Sequence, residues 1–169
     1  MKLGSIILCG SDQAGKSYVA DLLHKEFGYP VYHFSAPKPG ADFRLEYIQP
    51  MLETEEPFIF DRSYVSEIVY GDLFRGGSGV TPEIQKYIEN FLNSRNCILV
   101  YMRRNDEDYK WIDREGEMYG EDKNLLIRAK YDEVINTIKI PHITADSYDS
   151  DLLERIKALY LKINGSDDK

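Results

Sequence analysis

The run Gly10-Ser11-Asp12-Gln13-Ala14-Gly15-Lys16-Ser17 places the strongest constraint on the fold of this chain. A glycine, four variable positions, then glycine, lysine and a hydroxyl residue is the pattern of a loop that cradles phosphates. Such a loop works only between a strand and a helix, and both flanks are present. Residues 5–9 are short, branched and apolar, which reads as a buried strand. From residue 16 to 27, Val19, Leu22, Leu23 and Phe27 recur at helical spacing before Gly28. Gly10 and Gly15 permit the tight turn that points backbone N–H groups at phosphate oxygens, and the helix adds the positive end of its dipole. Lys16 suits the outer phosphates, and the Ser17 hydroxyl suits magnesium. The expectation is a nucleoside triphosphate site built from Gly10, Asp12, Gln13, Ala14, Gly15, Lys16, Ser17 and Tyr18.

Downstream, apolar runs keep alternating with amphipathic segments. Residues 31–35, 57–60, 97–102 and 142–145 read as strands. Residues 42–52, 64–74, 82–95, 124–138 and 151–163 read as helices; Pro50 leaves the end of the first uncertain, and Thr81-Pro82-Glu83 opens the third as cap, first-turn proline and acid. Strand–helix alternation at these lengths predicts a parallel sheet covered by helices on both faces, a three-layer α/β sandwich. A length of 169 residues suits one domain, assigned to residues 1–164, with a disordered tail over 165–169. Residues 103–122 are polar, acidic and contain Gly116 and Gly120, which predicts a short mobile lid.

Charge narrows the class of partner. Net charge is −8, yet residues 61–104 carry 6 basic against 5 acidic groups while residues 105–169 carry 10 against 16. A protein that grips long nucleic acid usually presents a basic face, so long nucleic acid is disfavoured. A few arginines holding a small anion fit better. No apolar run reaches the roughly 20 residues of a membrane helix, and the N-terminus lacks the features of a signal peptide. Cys9 and Cys97 lie within apolar runs and read as buried hydrophobes in a reducing cytosol. None of His24, His33 and His142 has spacing that suggests a metal site or triad, and none is assigned chemistry.

Asp61-Arg62-Ser63 ends the third strand, where a parallel sheet presents side chains to a ligand crevice. An acid there can orient an attacking oxygen or hold magnesium through water, and the arginine can clamp a phosphate. Alternatively, the acid merely caps the next helix. Tyr64, Tyr70 and Phe74 share that helix and are candidates either for base stacking or for packing it on the sheet; Glu67 is a candidate for a sugar or base contact or for a solvated face.

Together the loop, the run Phe58-Ile59-Phe60-Asp61-Arg62 followed by Tyr64, Glu67, Tyr70 and Arg75, and Leu99-Val100-Tyr101-Met102-Arg103 before an arginine-containing segment resemble the thymidylate kinase-like and deoxynucleoside kinase group of P-loop nucleotide kinases. Ser35-Ala36-Pro37-Lys38-Pro39-Gly40 resembles the substrate-side loop of that group, with Lys38 where many members carry an acid. The resemblance implies a five-stranded parallel sheet and transfer of a phosphoryl group from ATP with Mg2+, held by Ser17 and Asp61. Asp61 would orient the acceptor oxygen. Arg62, Arg75 and Lys38 would bind the acceptor, while Arg103, Arg104 or Arg114 would neutralise the moving phosphoryl. Asp146 and Tyr148 would lie near the adenine.

The sequence departs from thymidylate kinases at Ser63, where an aromatic is common, and in its short acidic lid. An acid, arginine and serine in this place is the deoxynucleoside kinase pattern. The acceptor expected first is a pyrimidine deoxynucleoside monophosphate such as dTMP or dUMP. A nucleoside 5′-hydroxyl, a modified base or a polynucleotide end stays open, and so does a homodimer. A non-enzymatic switch is the least favoured class, because the guanine-specifying Asn/Thr-Lys-x-Asp run is missing from the sequence.

Overall fold

A computed structural model describes residues 3–115 and 117–165. Five parallel strands form one sheet: β1 (Ile6–Cys9), β2 (Val31–His33), β3 (Ile59–Asp61), β4 (Ile98–Met102) and β5 (His142–Ala145), in the spatial order β2-β3-β1-β4-β5. The connections carry the helices α1 (Lys16–Phe27), α2 (Phe43–Glu46), α3 (Gln49–Glu53), α4 (Tyr64–Phe74), α5 (Pro82–Ser94), α6 (Glu121–Val134) and α7 (Leu152–Asn164). This is the expected three-layer α/β arrangement.

The central strands are apolar throughout because helices cover both of their faces. Alternation along β1 sends Ile7 and Cys9 to one face, where they pack with Val65 and Val69 of α4, Ile88 and Leu92 of α5, and Ile127 and Tyr131 of α6. Ile6 and Leu8 face the other way, against Val19 and Leu23 of α1 and Leu152, Ile156 and Tyr160 of α7. The Tyr160 hydroxyl reaches the Gly4 carbonyl at 2.6 Å, so the last helix is tied to the entry of the first strand. Both cysteines are free and buried, and burial pushes each thiol up to about 12.

Three local expectations change. The strand over 31–35 ends at His33: β2 is an edge strand paired only with β3, and the N–H of Phe34 makes a last bond to Asp61 O before the chain turns away. The single helix over 42–52 is two short ones. Asp42 caps α2 by accepting from the N–H of Arg44 at 3.0 Å. Pro50 lies in the first turn of α3, where its missing N–H costs nothing, and so opens a helix rather than ending one. Finally, α6 begins at Glu121, three residues before the expected start. At the C-terminus, Gly165 closes α7 by donating its N–H to Leu161 O; the remainder of the expected tail, and Gly116, lie outside the described residues.

Candidate active site

All five strands end at one crevice, so the chain segments that follow Cys9, His33, Asp61, Met102 and Ala145 meet there from distant parts of the sequence. The phosphate loop forms its floor. Gly10 has φ 144° and Gly15 φ 87°, conformations that a side chain resists. Space excludes one as well: a Cβ on Gly10 would stand 2.3 Å from the Met102 carbonyl oxygen, and one on Gly15 2.4 Å from Ser147 Cβ. Lys16 is buried, and its ammonium donates to Gly10 O at 2.9 Å and Ser11 O at 2.7 Å. Burial, reinforced by the Arg62 charge, brings its pKa down from 10.5 to about 8. Above the loop is a 690 Å3 cavity lined by residues 12–18 with Asp61, Arg62, Arg104, Arg114, Glu117, Met118, Ser147 and Tyr148.

Asp61 lies between two neighbours. Its register partners are Leu8 on β1 and His33 on β2. His33 Nδ1 is 2.9 Å from Asp61 Oδ2, while the buried Oδ1 has no hydrogen-bond partner among the described residues. The next residue, Arg62, has φ 72°, a left-handed conformation that costs a side-chain-bearing residue about 1–2 kcal/mol. Its N–H donates to Leu8 O at 2.9 Å, and its guanidinium reaches Asp12 Oδ1 at 3.1 Å with Cζ 5.7 Å from the Tyr70 ring centre. Ser63 caps α4. Of the two readings of the acid, capping of the helix thus falls to Ser63 and leaves Asp61 in the crevice.

A second cavity, of 480 Å3, adjoins the first. Phe34, Ser35, Ala36 and Pro37 come from the loop after β2, Ser66, Glu67, Tyr70 and Phe74 from α4, and Arg75 from just beyond it. Asp12, Arg62 and Met118 line both cavities. Glu67 is buried and accepts from Arg75 Nη2. The Arg75 charge is therefore already compensated within the cavity wall.

Four expected site residues are placed elsewhere. Tyr64 is fully buried and its hydroxyl donates to Glu89 at 3.0 Å, so it packs α4 on the core and does not line the cavity. Lys38 is exposed and outside the cavity lining, although its loop contributes. Arg103 forms a bidentate pair with Asp132 of α6, at 2.8 Å and 3.1 Å, which turns it away from the phosphate loop. Asp146 is buried and accepts from the N–H groups of Asn105 at 2.7 Å and Tyr148 at 3.0 Å; it braces the loop after β5. Arg104 and Tyr148 do line the first cavity, with Arg104 Cζ 4.3 Å from the Tyr148 ring centre. The Gln13 side chain is engaged with the segment before α6: it donates to Ile112 O at 2.6 Å and to Glu117 at 2.8 Å, and accepts from the Ile112 N–H at 3.0 Å.

His33, to which the sequence assigns no chemistry, pairs with Asp61, and Glu117, Met118, Tyr119 and Asn124 are not among the residues expected at the site. Asn124 is fully buried and donates to Asp12 O at 3.3 Å, so the first turn of α6 supports the phosphate loop. Only the register of β2 against β3 could have pointed to His33. The others carry no sequence signal of their own.

A five-stranded parallel sheet in this order, with a phosphate loop between β1 and α1, defines the class as the P-loop kinase fold. Two solved structures illustrate it. A deoxyadenosine kinase from M. mycoides with bound dATP matches 95% of this chain and 99% of its own at a TM-score of 0.51 and 19% identity. A thymidylate kinase from Candida albicans matches 97% and 93% at 0.50 and 14%. Within that class the chain belongs to the family of the SPbeta prophage-derived uncharacterized protein YorR of Bacillus subtilis strain 168, with 31% identity over 136 residues, 78% of this chain and 81% of that protein. The crystal structure of YorR in complex with phosphorylated GDP matches 97% of this chain and 98% of its own at a TM-score of 0.70 and 23% identity. No family model matches the chain. Among the described residues, no helix is long and apolar enough to cross a membrane.

Proposed function

We propose that this protein is an ATP-dependent kinase that transfers the γ-phosphoryl group to the phosphate of a (deoxy)nucleoside monophosphate. The observation that carries this reading is the junction of the two cavities at Asp12 and Arg62, beside Asp61. A phosphoryl donor over the loop and an acceptor in the second cavity would meet there. Positioning and charge neutralisation are the whole of such catalysis, since the protein forms no bond to the phosphoryl.

In this reading the loop residues and Lys16 hold the triphosphate, with Tyr18 and Tyr148 at the outer rim. Asp61 orients the acceptor oxygen, Arg62 binds the acceptor phosphate, and Arg104 with Arg114 offsets the charge that develops. Ser17 and Asp61 are the residues that would hold magnesium, and the buried, unpartnered Oδ1 of Asp61 fits that duty. Held by those residues, a magnesium ion would supply positive charge that offsets the charge of the phosphates. Arg75, paired to Glu67, suits the sugar or base better than the phosphate. Residues 103–122 act as the lid, in one domain with the rest.

The base is assigned as a pyrimidine first, dTMP or dUMP. A guanine nucleotide is the second reading, favoured by the complex of the relative YorR with phosphorylated GDP. The deciding experiment follows ADP release from ATP and Mg2+ against a panel of nucleosides, their monophosphates and 5′-hydroxyl oligonucleotides. Turnover with a monophosphate, and weaker or none with the others, is expected. Turnover confined to nucleosides or to oligonucleotide ends would replace the acceptor assignment, and ADP release with none of them would refute the kinase reading.

A further inference from the structure

Tyr119 belongs to neither the phosphate loop nor the helix that follows β3, yet it closes part of the wall of the acceptor cavity. Its ring stacks on Phe74 with centroids 4.5 Å apart and planes 16° apart, and it lies 6.0 Å from Tyr70 at 27°. The position is anchored. Gly120 is the N-cap of α6, and α6 is fixed to the core through Ile127 and Tyr131. Residues immediately before it line the other cavity: Met118 lines both, while Glu117 and Arg114 line the phosphate-loop side. Arg114 and Glu117 thus belong to the donor cavity, Met118 to both, and the half-buried ring of Tyr119 to the acceptor cavity.

We propose that Tyr119 is an acceptor-binding residue that contacts the nucleobase, and that this contact seats Arg114 over the triphosphate. The inference rests on the kinase reading above. A flat base bound in a cavity walled by Tyr70, Phe74 and Tyr119 gains aromatic contact on a ring that the segment before α6 supplies. Because that segment is also held at the loop by Gln13, whatever stabilises Tyr119 in its place stabilises the arrangement around the donor. Coupling of this kind is reciprocal: a base in the second cavity strengthens triphosphate binding by the same factor that the triphosphate strengthens binding of the base.

The test compares wild type with Tyr119→Ala, Tyr119→Leu and Tyr119→Phe on the monophosphate that wild type phosphorylates fastest. Loss of a base–aromatic contact predicts an acceptor KM raised about 5- to 150-fold in Tyr119→Ala. Tyr119→Leu, which retains bulk without a π face, is expected to lie in the same direction, and Tyr119→Phe within about twofold of wild type. 2-Deoxyribose 5-phosphate, an acceptor mimic without a base, is the control: its inhibition constant is expected to be unchanged in all three, whereas general damage to the cavity would move it too. The affinity for a non-hydrolysable ATP analogue is expected to rise with acceptor present in wild type and to be indifferent to it in Tyr119→Ala. Wild-type turnover with an acceptor KM unchanged in both Tyr119→Ala and Tyr119→Leu, or with the baseless mimic weakened equally, overturns the inference alone. Absence of wild-type turnover on every monophosphate overturns the kinase reading and this inference with it.

Discussion

Lys16→Met is expected to abolish the response of this protein to ATP and to change how its stability depends on pH. Lys16 is buried, and its lowered pKa of about 8 means that the folded chain binds fewer protons than the unfolded chain between that value and 10.5. The sign follows: the charged ammonium costs stability, the cost is fully present below about pH 8, and it shrinks as pH rises toward 10.5. At 1.36 kcal/mol per unit the cost near pH 7 is about 3 kcal/mol. Methionine removes that cost, but it also strands the Gly10 carbonyl that Nζ now satisfies, while the Ser11 carbonyl keeps the N–H of Ala14 at 3.4 Å. An unsatisfied buried polar group costs about 1–3 kcal/mol, so the net change near neutral pH is small. The pH dependence is the cleaner quantity. Between about pH 7 and about pH 9.5, the stability of wild type relative to the variant is expected to rise by about 2 kcal/mol. The buried tyrosines, such as Tyr131 and Tyr160, have raised pKa values in both proteins and cancel in the difference. Urea unfolding of both proteins across that window, with and without ATP and Mg2+, measures both effects. A wild type–variant difference that stays constant with pH, or a folded variant stabilised by ATP as strongly as wild type, would refute the reasoning.

Asp61→Asn is expected to lower kcat far more than it weakens ATP binding; titration of ATP alongside turnover checks it, and an equal fall in both would move Asp61 out of the reacting centre. Arg75→Ala leaves the buried Glu67 carboxylate without its cation, so a raised acceptor KM with little change for ATP, and a stability loss of about 1–3 kcal/mol, are expected. Adding Glu67→Gln to that variant is expected to restore part of the stability, and equal urea midpoints for the single and double variants would show the pair to be uncoupled. Gly15→Ala meets both a left-handed backbone and the Ser147 side chain; it is expected to cost at least about 1–2 kcal/mol and to weaken ATP binding, which calorimetry and thermal melts would detect.

What the sequence makes legible is what it concentrates locally. The phosphate loop is eight consecutive residues whose glycines, lysine and serine each have a local reason to be there, and the strand and helix on either side show the periodicity of their elements. The same holds for Asp61-Arg62-Ser63, since a strand end, a turn and a helix cap follow one another directly. The adjacent arginines Arg103 and Arg104 show where this stops. Alternation beyond β4 sends Tyr101 and Arg103 to the same side, and both hydrogen-bond to Asp132. Arg104 turns the other way, to Asp146 and Tyr148. Parity could separate the two arginines, but only the packing of α6 puts an aspartate opposite one of them and removes it from the site.

The second cavity is non-local throughout. Its walls come from Asp12 of the phosphate loop, the loop after β2, Tyr47 between α2 and α3, Arg62 and Ser63 beyond β3, α4 with Arg75, and the segment before α6. Thirteen tyrosines offer no rule for choosing among them. Tyr64 and Tyr70 lie on one helix, yet Tyr64 points its hydroxyl at Glu89 in the core while Tyr70 lines the cavity. A separation of six residues is 600° of helical rotation, so the two side chains leave the helix well apart in direction. The chemistry of phosphate binding is thus encoded by a short run that must be contiguous to work. The second cavity is a surface that exists only after several distant segments have packed, and for that reason the class of the protein is readable from its sequence well before its substrate is.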